Sequence, residues 1–425
     1  MLQTLRNAWR IEEIRKKILF TLLIVLLYRI GNAIPVPFVN TALLQQYFAY
    51  LQNTALGLLD AMSGGSFSNA TIFALSIQPY INASIIIQLL CIAIPALERM
   101  SKDEGEEGRK KIASITRYST VAIGLLQGFG YYMLMRNNGI IVSEVANNVW
   151  AAIVIILTFT SGSALIMWLG EQITEFGVGN GISIILFASI ISRFPNSVIT
   201  TIQNVANGSL AWWAAVLVFL GALALIVLIV FVNDAERRIP VQYAKRVVGR
   251  KMYGGQSTHL PMKVNMSGVM PIIFASSISS IPATIAAFTG HSQSAWAKTN
   301  TIPYAIIYLL LIIFFAYFYS TIQFNPIEVA NNLKKNGGYI PGFRPGKPTS
   351  EFIQRVLNKI TLFGAIYLGI IAVTPILIGM FSNAGTLTGI SLGGTSIIIV
   401  VGVALETVRA LEAQMVMRNY KGFLS

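Results

Sequence analysis

The chain has 425 residues, 54% hydrophobic and 11% charged, with a mean hydropathy of +0.65. No stretch between its apolar runs is long enough for a sizeable soluble domain, which leaves a polytopic all-α membrane protein. The formal net charge is +14; a lone Cys91 excludes an intrachain disulfide, and His259 and His291, the only histidines, give no metal-ligand pattern, so no metal or other cofactor is expected.

Residues 1–17 set Leu2, Leu5 and Trp9 at helical spacing among Arg6, Arg10, Arg15, Lys16 and Lys17, which predicts an amphipathic helix on the membrane surface. The segment runs directly into an apolar stretch without a small-residue cleavage pattern, so it does not read as a removable signal peptide. Apolar runs predict ten spans, near 18–34, 71–94, 118–135, 150–169, 181–201, 211–232, 268–288, 303–324, 360–380 and 393–411. Five of them lie within 18–205 and five within 206–412, ahead of a tail, 413–425. All Lys and Arg except Arg29, Arg136, Arg193 and Lys298 then fall on one side, and the positive-inside rule makes that side, with both termini, cytoplasmic. The basic loops suit anionic lipid headgroups, and their clustering leaves room for an acidic partner or RNA.

The first predicted span stops at Ile34-Pro35-Val36-Pro37, because two prolines end a helix. An external segment follows, and within it 55–66 stands out. Ala55 to Met62 would rise only about 12 Å as a helix, too little for a bilayer core of roughly 30 Å. It is followed by the hinge Ser63-Gly64-Gly65-Ser66 and then by an uncharged span carrying Ser76, Gln78, Pro79, Asn82, Ser84 and Gln88. Such groups lack partners in lipid, so this span faces protein or water. A short helix, a hinge and a polar-studded span suit a movable obstruction beside an aqueous path; a re-entrant loop packed as structure fits the spacing equally. Asp60, on the short helix, reads as a solvated residue.

Beyond Ile94-Pro95, the mixed charges and glycines from Glu98 to Lys111 predict a solvated cytoplasmic turn. Gly177-Val178-Gly179-Asn180-Gly181 joins two spans with no strand before it, and Gly342-Phe343-Arg344-Pro345-Gly346-Lys347-Pro348 has the wrong spacing and a proline after its lysine. Neither is a phosphate loop, so nucleotide chemistry and enzymatic activity are not expected. Two long irregular cytoplasmic loops, 233–267 and 325–359, combine basic residues with Tyr243, Tyr253, Tyr339 and Phe343, and read as a rigid protruding surface for a large partner or as a structural cap over the bundle. Glu406 and Arg409 are spaced to pair on one helix face. No span holds a midplane carboxylate or histidine, which argues against an ion-coupled solute transporter.

Several long stretches, in order along nearly the whole chain, resemble the SecY/Sec61-alpha family, its bacterial branch in particular. They are Ile72-Phe73-Ala74-Leu75 with Pro79-Tyr80-Ile81 and Ala83 to Gln88, Gly179-Asn180-Gly181-Ile182-Ser183, and Gln256-Ser257-Thr258-His259-Leu260-Pro261. To these belong Asn331-Asn332-Leu333-Lys334-Lys335, Pro341 to Gly346, and Gly393-Gly394-Thr395-Ser396. Phe38 departs from the family, which often has Gly after the second proline.

The resemblance implies an hourglass protein-conducting channel of two inverted five-span halves, placed in the bacterial cytoplasmic membrane. It makes Ala55, Leu56, Leu58, Leu59, Asp60, Ala61 and Met62 a plug hinged at Gly64 and Gly65. It makes Ile77, Ile81, Ile182, Leu186, Ile273 and Ile399 a constriction ring, although each alone reads as a core or lipid-facing residue. Gln88, Gln127 and Asn265 fall near the family's lateral gate, where they bond across the seam or pack within one half. Arg250, Lys251 and Arg344 match positions that meet a motor or ribosome, with internal salt bridging the alternative for Arg344. The implied partners are SecE and SecG subunits, the SecA ATPase, the ribosome, signal peptides and nascent membrane proteins. A scaffold or insertase with no pore is the rival within the same architecture.

Overall fold

The computed structural model describes residues 2–421 apart from 51–54, 103, 145–147, 209–210, 244–245, 249–250, 254–256, 289–300 and 382–393. Helices are α1 Leu2–Arg10, α2 Glu12–Gly31, α3 Thr41–Tyr50, α4 Ala55–Met62, α5 Gln78–Ala93, α6 Pro95–Lys102, α7 Gly105–Asn137, α8 Val149–Phe176, α9 Gly181–Ala206, α10 Trp212–Asp234, α11 Met270–Phe288, α12 Ile302–Gln323, α13 Pro326–Lys335, α14 Lys347–Phe381 and α15 Gly394–Lys421. Strands are β1 Glu236–Tyr243, β2 Arg246–Val248, β3 Lys251–Tyr253, β4 Ser257–Lys263 and β5 Gly338–Tyr339.

Among the described residues, α8, α9, α10, α12 and α14 are long and apolar enough to cross a membrane, while α5 and the Met270–Pro282 part of α11 are shorter apolar helices. The other predicted spans, on α2, α7 and α15, mix their apolar runs with charged or polar stretches. Packing sorts the long helices into two groups. In one, α5 lies on α7, α7 on α8, α8 on α9, and α2 against both α8 and α9; in the other, α11 lies on α12, α12 on α14, α14 on α15, and α10 on α15. The groups meet where α11 touches α5 and α7 and where α15 and α10 touch α9, around one apolar core shared by both.

Four expectations need correction. The predicted span 71–94 is not one helix, because residues 71–77 are turns and α5 begins only at Gln78. The backbone there is committed elsewhere: the Val36 amide donates to the Ala70 carbonyl at 2.8 Å and the Ile72 amide to the Ile34 carbonyl at 3.0 Å, forming a bridge between Pro35 and Thr71. Ala70 and Ser76 take left-handed φ of 43° and 50°, which a helix cannot continue, and Pro79 sits in the first turn of α5, where its missing N–H costs nothing.

The run Glu98 to Lys111 is helical on both sides of residue 103, as the end of α6 and the start of α7. The segment 1–17 is also two helices. Ile11 breaks it in extended backbone, so Glu12 to Lys17 open α2; α1 docks on α15 through a small apolar cluster containing Ala8, Ile14 and Leu411, with the Thr4 hydroxyl donating to Glu412 at 3.0 Å.

The two long loops, 233–267 and 325–359, are not irregular. They fold together into a sheet of order β4-β1-β5, antiparallel throughout, with Ile239 opposite Leu260 and Gln242 opposite Tyr339. Ile239, Val241 and Met262 on the sheet close over Leu333 of α13 and over Ile340, Ile353 and Leu357, which ties both loops to the start of α14. Phe343 stacks on Phe352 at 4.2 Å beside them.

Side-chain caps explain two of the sequence's asparagines. Asn180 accepts from the amides of Ile182 and Ser183 to start α9, and Asn325 does the same for Ile327 and Glu328 at α13. Phe38 adopts φ 68°, the conformation that favours glycine, and its carbonyl is held by the Val142 amide at 3.1 Å.

Candidate functional site

The six positions singled out in sequence come from four helices and fall in one apolar cluster. Ile77 is the residue before α5 and Ile81 lies one turn on; Ile182 and Leu186 are one turn apart on α9; Ile273 opens α11; Ile399 is on α15. Residues four apart share a helix face, so each pair points the same way. Five of the six are buried and Ile182 is half-buried.

The short helix α4 matches the bounds read from the sequence. It packs on α9 and α11, one helix from each group, and Met62 at its end joins the cluster that holds the six. Leu56 and Leu59 instead face a second, outer cluster with Leu44, Phe48, Phe67 and Tyr131. The side chains of Ala55 and Leu58 lie outside the described ones.

The segment after α4 is more ordered than a hinge of glycines suggests. Gly64 and Gly65 have φ of 72° and 86°; the Gly65 amide donates to the Asp60 carbonyl at 2.9 Å and the Ser63 hydroxyl to the same carbonyl at 3.0 Å. Phe67, two residues on, stacks on Tyr131 at 4.1 Å and packs edge-on against Phe48 at 5.4 Å, and the Tyr131 hydroxyl donates to the Phe67 carbonyl.

Asp60 is not solvated. It is 5% exposed, its carboxylate accepts from the Ser68 amide at 2.7 Å, and it pairs with Arg193 of α9 at 2.9 Å. A buried carboxylate needs such partners, since unpaired it carries a desolvation cost of several kcal/mol. Sequence gave both residues but not the pairing, because they lie 133 positions apart.

Of the two arrangements kept open for the polar groups near the junction of the two helix groups, bonding within one group is the one seen for Gln88 and Asn265. The Gln88 amide donates to Ser84 of its own helix at 3.1 Å, and its oxygen is buried without a partner. Gln127 is half-buried on α7. Asn265 donates to Asn233 at 2.9 Å, within the second group. The bond that does cross is one the sequence did not assign: the Gln78 amide at the start of α5 donates to Ser277 of α11 at 3.2 Å. Its signal was present, as an uncharged amide facing the serine-rich 276–280 stretch.

Beside the sheet, Arg344 is exposed and its carbonyl accepts from the Thr349 hydroxyl at 2.8 Å. Lys251 lies in β3, and Arg250 lies outside the described residues, as do Gln256, His291, Lys298 and Gly393. Arg409 does not pair with Glu406; it donates to the Asn233 carbonyl at 2.9 Å and to Asp234 at 2.5 Å, tying α15 to the end of α10. Lys263 of β4 is held below the usual lysine range by burial, with the nearby Arg409 adding to the effect.

A family model described as SecY matches residues 71–408. A protein translocase subunit SecY of Streptomyces scabiei is 45% identical over 441 residues, covering 100% of both chains, and that of Mycobacterium bovis is 43% identical over 446 residues with the same coverage. Among solved structures, a protein-conducting channel superposes with a TM-score of 0.67 at 18% identity, covering 95% of this chain and 93% of its own. Sec61 from a canine ribosome-channel complex of the endoplasmic reticulum gives 0.63 at 16% identity, covering 95% and 93%.

Proposed function

This chain belongs to the SecY family, and from that premise we propose that it is the central channel subunit of a protein translocase. It is a passive, gated conduit through which unfolded secretory polypeptide crosses the membrane and from which apolar segments leave sideways into lipid. The observation that carries this reading is the convergence of six apolar side chains from four helices with the tip of a short, separate helix.

Each part has a physical role. Branched apolar side chains at Ile77, Ile81, Ile182, Leu186, Ile273 and Ile399 make a dry waist that resists water and ions and deforms around a peptide. Helix α4 is the plug that closes it from outside. The junction of α5 and α7 with α11 and α12 is the lateral gate, closed in part by the Gln78–Ser277 bond and lined by Gln88 and Gln127. One such bond is worth about 0.6 to 2 kcal/mol in a membrane, while about ten Leu-like residues gain on the order of 3 to 6 kcal/mol by reaching lipid. An arriving apolar signal therefore gains enough to offset bonds of this kind along the seam.

The conduit has no catalytic role of its own, so a partner supplies the push. The folded cytoplasmic platform carrying Lys251 and Arg344 is where SecA or a ribosome docks, and SecE and SecG are the accessory subunits. Both termini are cytoplasmic in a bacterial inner membrane, where anionic lipid meets the basic loops.

The test is a secretory chain stalled during export, with photocrosslinkers placed at Ile81 and Ile273. Crosslinks from both positions, with co-purification of a small one- or three-span subunit, are expected. A stalled chain that reaches neither position, or robust ion-coupled uptake of a small solute by the purified protein, would remove the conduit.

A further inference from the structure

Nothing in the sequence gives Arg193 a task. It is one of the few basic residues predicted on the external side, against the cytoplasmic bias of the rest, and it sits on a span where a cation is costly. The structure surrounds it with the plug. Its guanidinium donates to Asp60 of α4 at 2.9 Å, and that carboxylate also accepts from the Ser68 amide beyond the glycines, so the carboxylate joins the cation to both the helix and the segment after it.

The same turn of α9 is shaped to receive the glycines. A Cβ on Gly64 would come within 2.7 Å of the Ser189 carbonyl and 3.0 Å of the Ser192 hydroxyl, so the backbone lies directly against α9 there. Ser189 is itself fixed by the Tyr28 hydroxyl at 2.6 Å, and Ser192 donates to the Ser189 carbonyl at 2.6 Å. Ser189, Ser192 and Arg193 thus form a rigid polar seat. Arg193 is 39% exposed at its side chain while Asp60 is 8%, so the pair is buried on the side of α4 and less enclosed on the side of α9.

We propose that Arg193 is a positioning residue for gating: by pairing with Asp60 it latches the plug onto the seat on α9 and keeps the resting channel sealed. The proposal rests on α4 being the plug, and the experiment separates the two ideas. The full chain, with the subunits that co-purify, is reconstituted in sealed liposomes, and passive leak of a trapped small anion is measured.

Deleting 55–62 is expected to raise the leak, as the reference for an absent plug. Arg193→Gln raises it about tenfold, because the buried carboxylate loses its cation and pushes the plug off its seat, whereas Arg193→Lys stays within about threefold of the parent. The double variant Asp60→Asn with Arg193→Gln leaks less than Arg193→Gln alone, since no unpaired charge remains; a merely misfolded protein is not rescued by a second substitution. A leaky deletion beside a tight Arg193→Gln overturns the latch alone, as do single effects that simply add in the double variant. A deletion that does not leak overturns the plug reading and the latch with it.

Discussion

Ile399 is 2% exposed and belongs to the same apolar cluster as Ile81, Leu186 and Met62. Ile399→Asn places an amide there without a partner, at a cost of about 1 to 3 kcal/mol to the closed packing. The expected outcome is a channel that exports substrates with defective signals, measured as export relative to the parent; unchanged discrimination would take Ile399 out of the waist. Apolar identity at such positions was legible only through family likeness, because an isoleucine in a membrane span reads the same whether it faces lipid, core or pore. The Asp60–Arg193 pair was illegible for another reason. Each is an ordinary charge near a membrane face, and no local pattern says which distant residue will neutralise it.

For single elements, α4 was fully legible: it is short, bounded by Gly64 and Gly65, and its bounds match the structure. The stretch 71–77 was not, because hydropathy registers composition and is blind to backbone pairing with 34–36. The β4-β1-β5 sheet was missed likewise, since its strands are short and interrupted by basic residues, Gly and Pro, and gain their apolar face only by closing on α13 and α14. Because α4 packs on α9 and α11 together, fixing it should hold the two helix groups as well as fill the waist. Cysteines at Met62 and Ile273, with Cys91 replaced by Ser, are expected to cross-link under oxidation and reduce export to a small fraction of the reduced level, recovered by reductant. Full export by the oxidised protein would deny that α4 must move.

For the whole molecule, α7 and α14, of 33 and 35 residues, are about 50 Å long, well beyond a bilayer core of roughly 30 Å. The start of α14 projects with the β4-β1-β5 sheet as a single folded platform, and Arg344 lies exposed on it. Arg344→Glu reverses a surface charge without touching the packing, so motor-driven export should fall several-fold while the thermal midpoint stays put. Normal SecA-dependent export would assign Arg344 no docking role. The general architecture, helical and polytopic with a platform on the basic side, was legible from hydropathy and charge; the closure of the platform was not, as it depends on contacts between two loops far apart in the chain.

The separation of Asp60 from Arg193 also dictates a timetable. Ribosomes add about 5 to 20 residues per second, so the 133 positions between them take on the order of 10 s to make. Throughout that interval Asp60 of a newborn copy has no Arg193 to pair with, and the contact of α4 with α11 must wait longer still. If α4 is the plug, a tight seal is thus acquired late in a maturing molecule, and truncation before Arg193 would yield a fragment that keeps Asp60 buried without its cation.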